Sequence, residues 1–233
     1  MKKGIITVSV LVIIASTIAA YCWATGNDTV SESMHTTISQ AGQQVRSTSQ
    51  YAKGKALVVY FSVPETDGVD ASSGASRIVS NGNVIGNTHY IASVISEATG
   101  SDLFEIKTVH TYPGSHKALI DAAKGEIDNN ARPKLATHIE ELDDYDVVFV
   151  GFPNWWYDMP MPIYSFFDEY DFGGKTIIPF CTHGGSRFSD AIKTIRELEP
   201  KASVLDGYAV PRDRVRDAKP NVLNWLKKIG MAD

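Results

Sequence analysis

The chain has 233 residues, with 22 Lys and Arg against 27 Asp and Glu and a formal charge of −5. That length suits one medium domain with appendages, whose core needs neither disulfides nor a metal. The acidic balance argues against a nucleic-acid partner, and two isolated cysteines, Cys22 and Cys181, make no CxxC and no disulfide framework.

The N-terminus reads "MKKGIITVSVLVIIASTIAAYCWATG", two lysines followed by an apolar run from Ile5 to Ala24. About 20 apolar residues can span a bilayer as a helix. Cys22-Trp23-Ala24 also makes an acceptable small-x-small cleavage site. Tyr21 before the cysteine makes a poor lipobox. Residues 1–24 are expected to be a signal peptide or an N-terminal membrane anchor, with the lysines left inside. Either places the remainder outside the cytoplasm. Residues 25–54 are rich in Ser, Thr, Gln and Asn, a composition that buries little surface and predicts a flexible linker.

From residue 55 to 233 the pattern is that of a folded domain. "KALVVYFS" (55–62) is a compact β-branched run of strand length. "NTHYIASVISEATG" (87–100) is a helix with Ile91, Val94, Ile95 and Ala98 on one face and a Gly stop. "DLFEIKT" (102–108) alternates like an edge strand, and "SHKALIDAAKGEIDN" (115–129) reads as helix. "YDVVFVGFP" (145–153) is a continuous apolar strand, followed by a helix in "MPIYSFFDEYDF" (161–172) with Pro162 near its start. "KTIIPFCTHGG" (175–185) is a strand ending in a Gly pair. "SDAIKTIRELEP" (189–200) is a Ser-capped helix, "ASVLDGYAV" (202–210) a weaker fifth strand, and "KPNVLNWLKKIG" (219–230) a closing helix with lysines in its last turn. Alternating strands and helices with continuously apolar central strands predict a parallel sheet covered on both faces. Such sheets bind ligands beyond the carboxyl ends of their strands.

Three loops lie at those ends. After Ser62 the chain makes a detour through 63–85, in which "RIVSNGNVIG" carries an Asn-Gly hairpin signal, before "GNT" (86–88) opens the first helix. Asn87 and Thr88 can cap that helix or donate to a phosphate at its N-terminus. No Lys follows as in a P-loop, and no GxGxxG follows the strand, so neither ATP hydrolysis nor Rossmann-type NAD binding is supported. The second loop, "PNWWYDMPMP" (153–162), presents Trp155, Trp156 and Tyr157, flat faces with polar edges. Each indole can equally pack under the next helix. The third, "CTHGGSRF" (181–188), pairs Thr182, His183 and Ser186 with glycines that let backbone approach a ligand. "GGSRF" is no nucleophile elbow, and the histidines lack metal-ligand spacing.

The run from "KALVVYFS" through "DLFEI" to "YDVVFVGFPNWWYDMPMPIYSFFDEYDFGGKTIIPFCTHGGS" resembles the flavodoxin family, in its branch with Pro-x-Trp-Trp and Thr-His-Gly-Gly loops. The resemblance implies an open five-stranded parallel sheet of order 2-1-3-4-5 with helices on both faces and non-covalent FMN. It places Ser62, Gly86, Asn87 and Thr88 at the FMN phosphate. Pro153, Asn154, Trp155, Trp156 and Tyr157 then flank the isoalloxazine ring, and Thr182, His183, Gly184, Gly185 and Ser186 line its other edge. It implies electron transfer to redox partner proteins, or alternatively an NAD(P)H oxidoreductase acting on quinones or similar small acceptors. The chain departs from the family in its split phosphate loop and in Tyr157, where many relatives carry Gly or another small residue.

Overall fold

The computed structural model describes residues 54–66, 77–80 and 82–233. The expected signal or anchor, all of the linker but Gly54, and the part of the detour over 67–76 lie outside the described residues. The chain divides into Met1–Gln50 and Tyr51–Asp233, and the second unit carries everything below. Among the described residues, no helix is long and apolar enough to cross a membrane.

The order is β1 (Ala56–Tyr60), β2 (Arg77–Ser80), β3 (Asn83–Gly86), α1 (Asn87–Thr99), β4 (Asp102–Glu105), α2 (His116–Asp128), β5 (Val147–Pro153), α3 (Met161–Glu169), β6 (Thr176–His183), α4 (Ala191–Leu198), β7 (Ser203–Val204), β8 (Tyr208–Pro211) and α5 (Lys219–Lys228). A 3-10 helix, Arg212–Asp217, links β8 to α5. The main sheet is parallel and runs β4-β1-β5-β6-β7, with β8 also on β6. Counting the sheet strands in sequence, with β7 and β8 sharing the last place, this is the expected 2-1-3-4-5 order. β2 and β3 form a separate antiparallel hairpin, as the Asn-Gly signal predicts.

Every residue of β1 and β5 is buried. Their side chains alternate between two cores. Leu57, Val59, Val148 and Val150 meet Leu119, Ile163, Phe166 and Ile195 on the face of α2, α3 and α4. Ala56, Val58, Val147 and Phe149 meet Ile91, Ile95, Val222 and Leu226 on the face of α1 and α5. Each fully buried aliphatic side chain contributes about 1.5–3 kcal/mol, so continuous apolar runs specify the centre of a two-faced sheet.

Three local expectations change. The fifth strand is two short strands on one edge of β6. At the break Gly207 has φ +71, and a Cβ there would lie 2.2 Å from the Pro179 carbonyl oxygen. No side chain caps α4, whose N-cap is Asp190 rather than Ser189. Gly86, not Asn87 or Thr88, is the N-cap of α1.

Candidate functional site

The carboxyl ends of β5 and β6 and the loop after β1 open onto a cavity of about 590 Å³, within the range of small-molecule sites. The start of α1 also lines it. The hairpin returns the chain directly onto this helix, since β3 ends at Gly86 and α1 begins at Asn87. Gly86 is extended and no side chain caps the helix. Asn87 and Thr88 are buried. The Thr88 hydroxyl lies 2.9 Å from that of Thr182, tying α1 to β6.

The second loop closes a two-residue turn. Trp155 N–H donates to Asp158 O and Asp158 N–H to Trp155 O, both at 3.0 Å. Trp156 and Tyr157 between them have φ +54 and +67. That geometry usually takes Asn-Gly, because positive φ costs an ordinary L-residue about 1–2 kcal/mol. The turn separates the indoles. Trp155 is 9% exposed and meets Phe61 and Tyr112 edge-on, at centroid distances of 5.5 and 5.7 Å. Trp156 is 46% exposed, and its Nε1–H donates to the Ile120 carbonyl at 2.8 Å. Tyr157 is 73% exposed.

The third loop is held by the second. Asn154 N–H donates to Thr182 O at 2.8 Å. Its Nδ2 donates to Arg187 O, and its Oδ1 accepts from Ser186 Oγ, both at 3.0 Å. His183 is buried, and its Nδ1 accepts the Gly185 N–H at 2.9 Å, which puts the proton of the neutral ring on Nε2. Burial, and then Arg187, hold the His183 pKa below its ordinary value against the opposing pull of Asp213. Arg187 and Ser189 also have positive φ. Of the described non-glycine residues with positive φ, all but Asn130 thus sit on the two loops around this cavity. Backbone strain of that kind gathers where a ligand site over-determines the chain.

Pro153, Asn154, Trp155, Trp156, Tyr157, Thr182, His183, Gly184, Gly185, Ser186 and Asn87 line the cavity. Ser62, Gly86 and Thr88 do not line it. Asn154 and Ser186 line the cavity while their side chains hold each other. Sequence reasoning missed Glu65, His116, Leu119, Ile120, Ala123 and Arg212. Glu65 is 2% exposed. Its Oε1 lies 2.6 Å from His116 Nδ1, and its Oε2 is buried without a hydrogen bond. The Thr66 N–H bond to Gly114 O, at 2.7 Å, joins the end of the β1 loop to the approach to α2. No local sequence signal announces that long-range tie.

The family model for flavodoxin matches residues 76–229. The chain belongs to the flavodoxin family. It is 28% identical over 136 residues to Flavodoxin 1 of Salmonella typhimurium and of Escherichia coli, a stretch covering 54% of this chain and 63% of each relative. The match thus spans less than two thirds of those relatives. Among solved structures it is similar to one described as a flavoprotein from Bacteroides uniformis, at 28% identity and a TM-score of 0.59, covering 75% of this chain and 98% of the other. A second, from Bacteroides eggerthii, has 25% identity and a TM-score of 0.58, covering 76% and 98%.

The cofactor of a flavodoxin is FMN, and the cavity suits it. A phosphate calls for N–H donors at a helix start, which α1 offers without a side-chain cap. A flavin ring calls for aromatic faces and for donors at its polar edge. Trp156 and Tyr157 bring exposed aromatic groups to the cavity lining, beside the buried Trp155. His183 and the backbone of Gly184 and Gly185 stand on the other wall, where glycine leaves the main chain open to a ligand.

Proposed function

We propose that this chain is an FMN-binding electron-transfer protein acting outside the cytoplasm, held by or released from an N-terminal apolar segment. The observation that carries the reading is that one cavity, beyond the carboxyl ends of the strands, is lined both by the start of α1 and by the aromatic turn. FMN supplies the electron chemistry, while the protein binds it and tunes it. The first-turn N–H groups of α1, with Asn87, hold the phosphate. Trp156 and Tyr157 cover the ring and limit its contact with water. Asn154 fixes the loop of Gly184 and Gly185 against the aromatic turn, and His183 presents a donor through Nε2–H. The segment from Ile5 to Ala24 supports export, and cell fractionation tests it.

A second reading is an oxidoreductase serving small acceptors. It is favoured by the extension of the cavity along α2, where Leu119, Ile120 and Ala123 form an apolar wall beside Glu65 and His116. Purified protein supplied with NAD(P)H and a panel of quinones separates the two. Slow or absent turnover supports the carrier, and rapid turnover supports the enzyme.

A further inference from the structure

We propose that Arg212 is the charged ligand of the cofactor's phosphate ester and makes the site select FMN over a flavin without phosphate. The proposal rests on the FMN reading and adds a residue from the far end of the chain, outside all three loops.

Its position follows from the register. Pro211, the last residue of β8, is the partner of His183 at the end of β6, so Arg212 and Gly184 leave neighbouring strands side by side. The guanidinium lies on the Gly184 backbone, with Nη1 3.2 Å and Cζ 3.5 Å from where a Cβ would stand. The 3-10 helix that Arg212 begins packs on α1, and its Val215 shares a core with Ile91. The Thr88–Thr182 bond ties α1 to β6 just before His183. Arg212, the end of β6 and the start of α1 therefore meet at one corner of the cavity.

Charge points the same way. Among the described residues, Arg212 is the only Arg or Lys lining the cavity. Burial lowers the pKa of His183, beside it, so that ring is a poorer source of positive charge. A phosphate ester carries close to two negative charges at neutral pH, and the chain itself is net −5. Helix N–H groups satisfy the phosphate oxygens but bring only a partial charge. A half-buried guanidinium brings a full charge and a fork that matches two of those oxygens.

The test compares FMN with riboflavin, which shares the ring and lacks the phosphate. The full chain is stripped of flavin, and both affinities are measured by fluorescence titration for wild type, Arg212→Gln and Arg212→Lys. Arg212→Gln is expected to weaken FMN at least tenfold and riboflavin less than twofold. Arg212→Lys is expected to fall between it and wild type, and added salt to weaken FMN more in wild type than in Arg212→Gln. An equal loss for both flavins would make Arg212 a prop for Gly184 and overturn the proposal. So would unchanged FMN affinity in Arg212→Gln, while leaving the FMN reading intact. A wild type that takes up neither flavin would overturn both.

Discussion

Replacing Trp155 and Trp156 one at a time by alanine separates a wall of the core from a face of the site. An indole buries up to about 250 Å². Trp155 is 9% exposed, so about 230 Å² of it is covered, roughly 6 kcal/mol at 25 cal/mol per Å². The compactness of the unfolded chain lowers this by about 10–40%, to roughly 3.5–5 kcal/mol, the usual range for a large-to-small change in a core. At about 2–4 °C per kcal/mol, Trp155→Ala should lower the Tm of the flavin-free protein by roughly 7–20 °C. Trp156 is 46% exposed. The same arithmetic gives roughly 2–3 kcal/mol, including its exposed bond to Ile120 within that spread, and a Tm lower by about 4–12 °C. FMN affinity should respond differently. Trp156→Ala should weaken it by roughly 1–3 kcal/mol, the scale of one aromatic contact with its area. Calorimetry gives the first quantity and fluorescence titration the second. The reasoning fails if Trp155→Ala melts at or above Trp156→Ala, or if neither variant binds FMN more weakly.

Three further predictions concern the scaffold. His183 is held below its ordinary pKa, so as pH falls below about 6.5 the unfolded chain takes up this proton first and stability declines, levelling only once the folded ring is protonated too. Denaturant midpoints at pH 7.5 and 5.5 should therefore shift further for wild type than for His183→Gln, and identical shifts would contradict the assignment. Gly207→Ala places a Cβ 2.2 Å from Pro179 O at φ +71, and should destabilise the protein by about 2 kcal/mol or more; a Tm within 2 °C of wild type would refute the close approach. A chain lacking residues 1–50 should keep the full-length Tm of the Tyr51–Asp233 unit, and failure to fold would make the N-terminal segment part of the core.

How much was legible in the sequence depended on range. Strand centres such as "ALVVY" and "VVFVGFP" announce themselves, because a strand buried on both faces must be apolar throughout. Residues next to one another, such as Trp155 to Tyr157 or Thr182 to Ser186, were found because a short motif carries them into the cavity together. Glu65, His116 and Arg212 were not, since each reaches the cavity through a long-range pairing: Thr66 with Gly114, or β8 alongside β6. Composition does not encode such pairings. Nor could it show that two adjacent indoles part company. That division comes from positive φ at Trp156 and Tyr157, a conformation their side chains disfavour and the reciprocal Trp155–Asp158 bonds impose. Tyr157 was recognisable as unusual for its place, and the turn gives the reason: it occupies a position whose backbone suits glycine.

The central claim is that the cavity between the aromatic turn and the Gly184-Gly185 loop holds one FMN. Titrating FMN into the flavin-stripped chain, while following flavin fluorescence and the visible spectrum together, tests it most directly. The account predicts quenching that saturates at one FMN per chain, with a perturbed flavin spectrum that weakens in Trp156→Ala. Undiminished fluorescence and a colourless protein after removal of free flavin would contradict it.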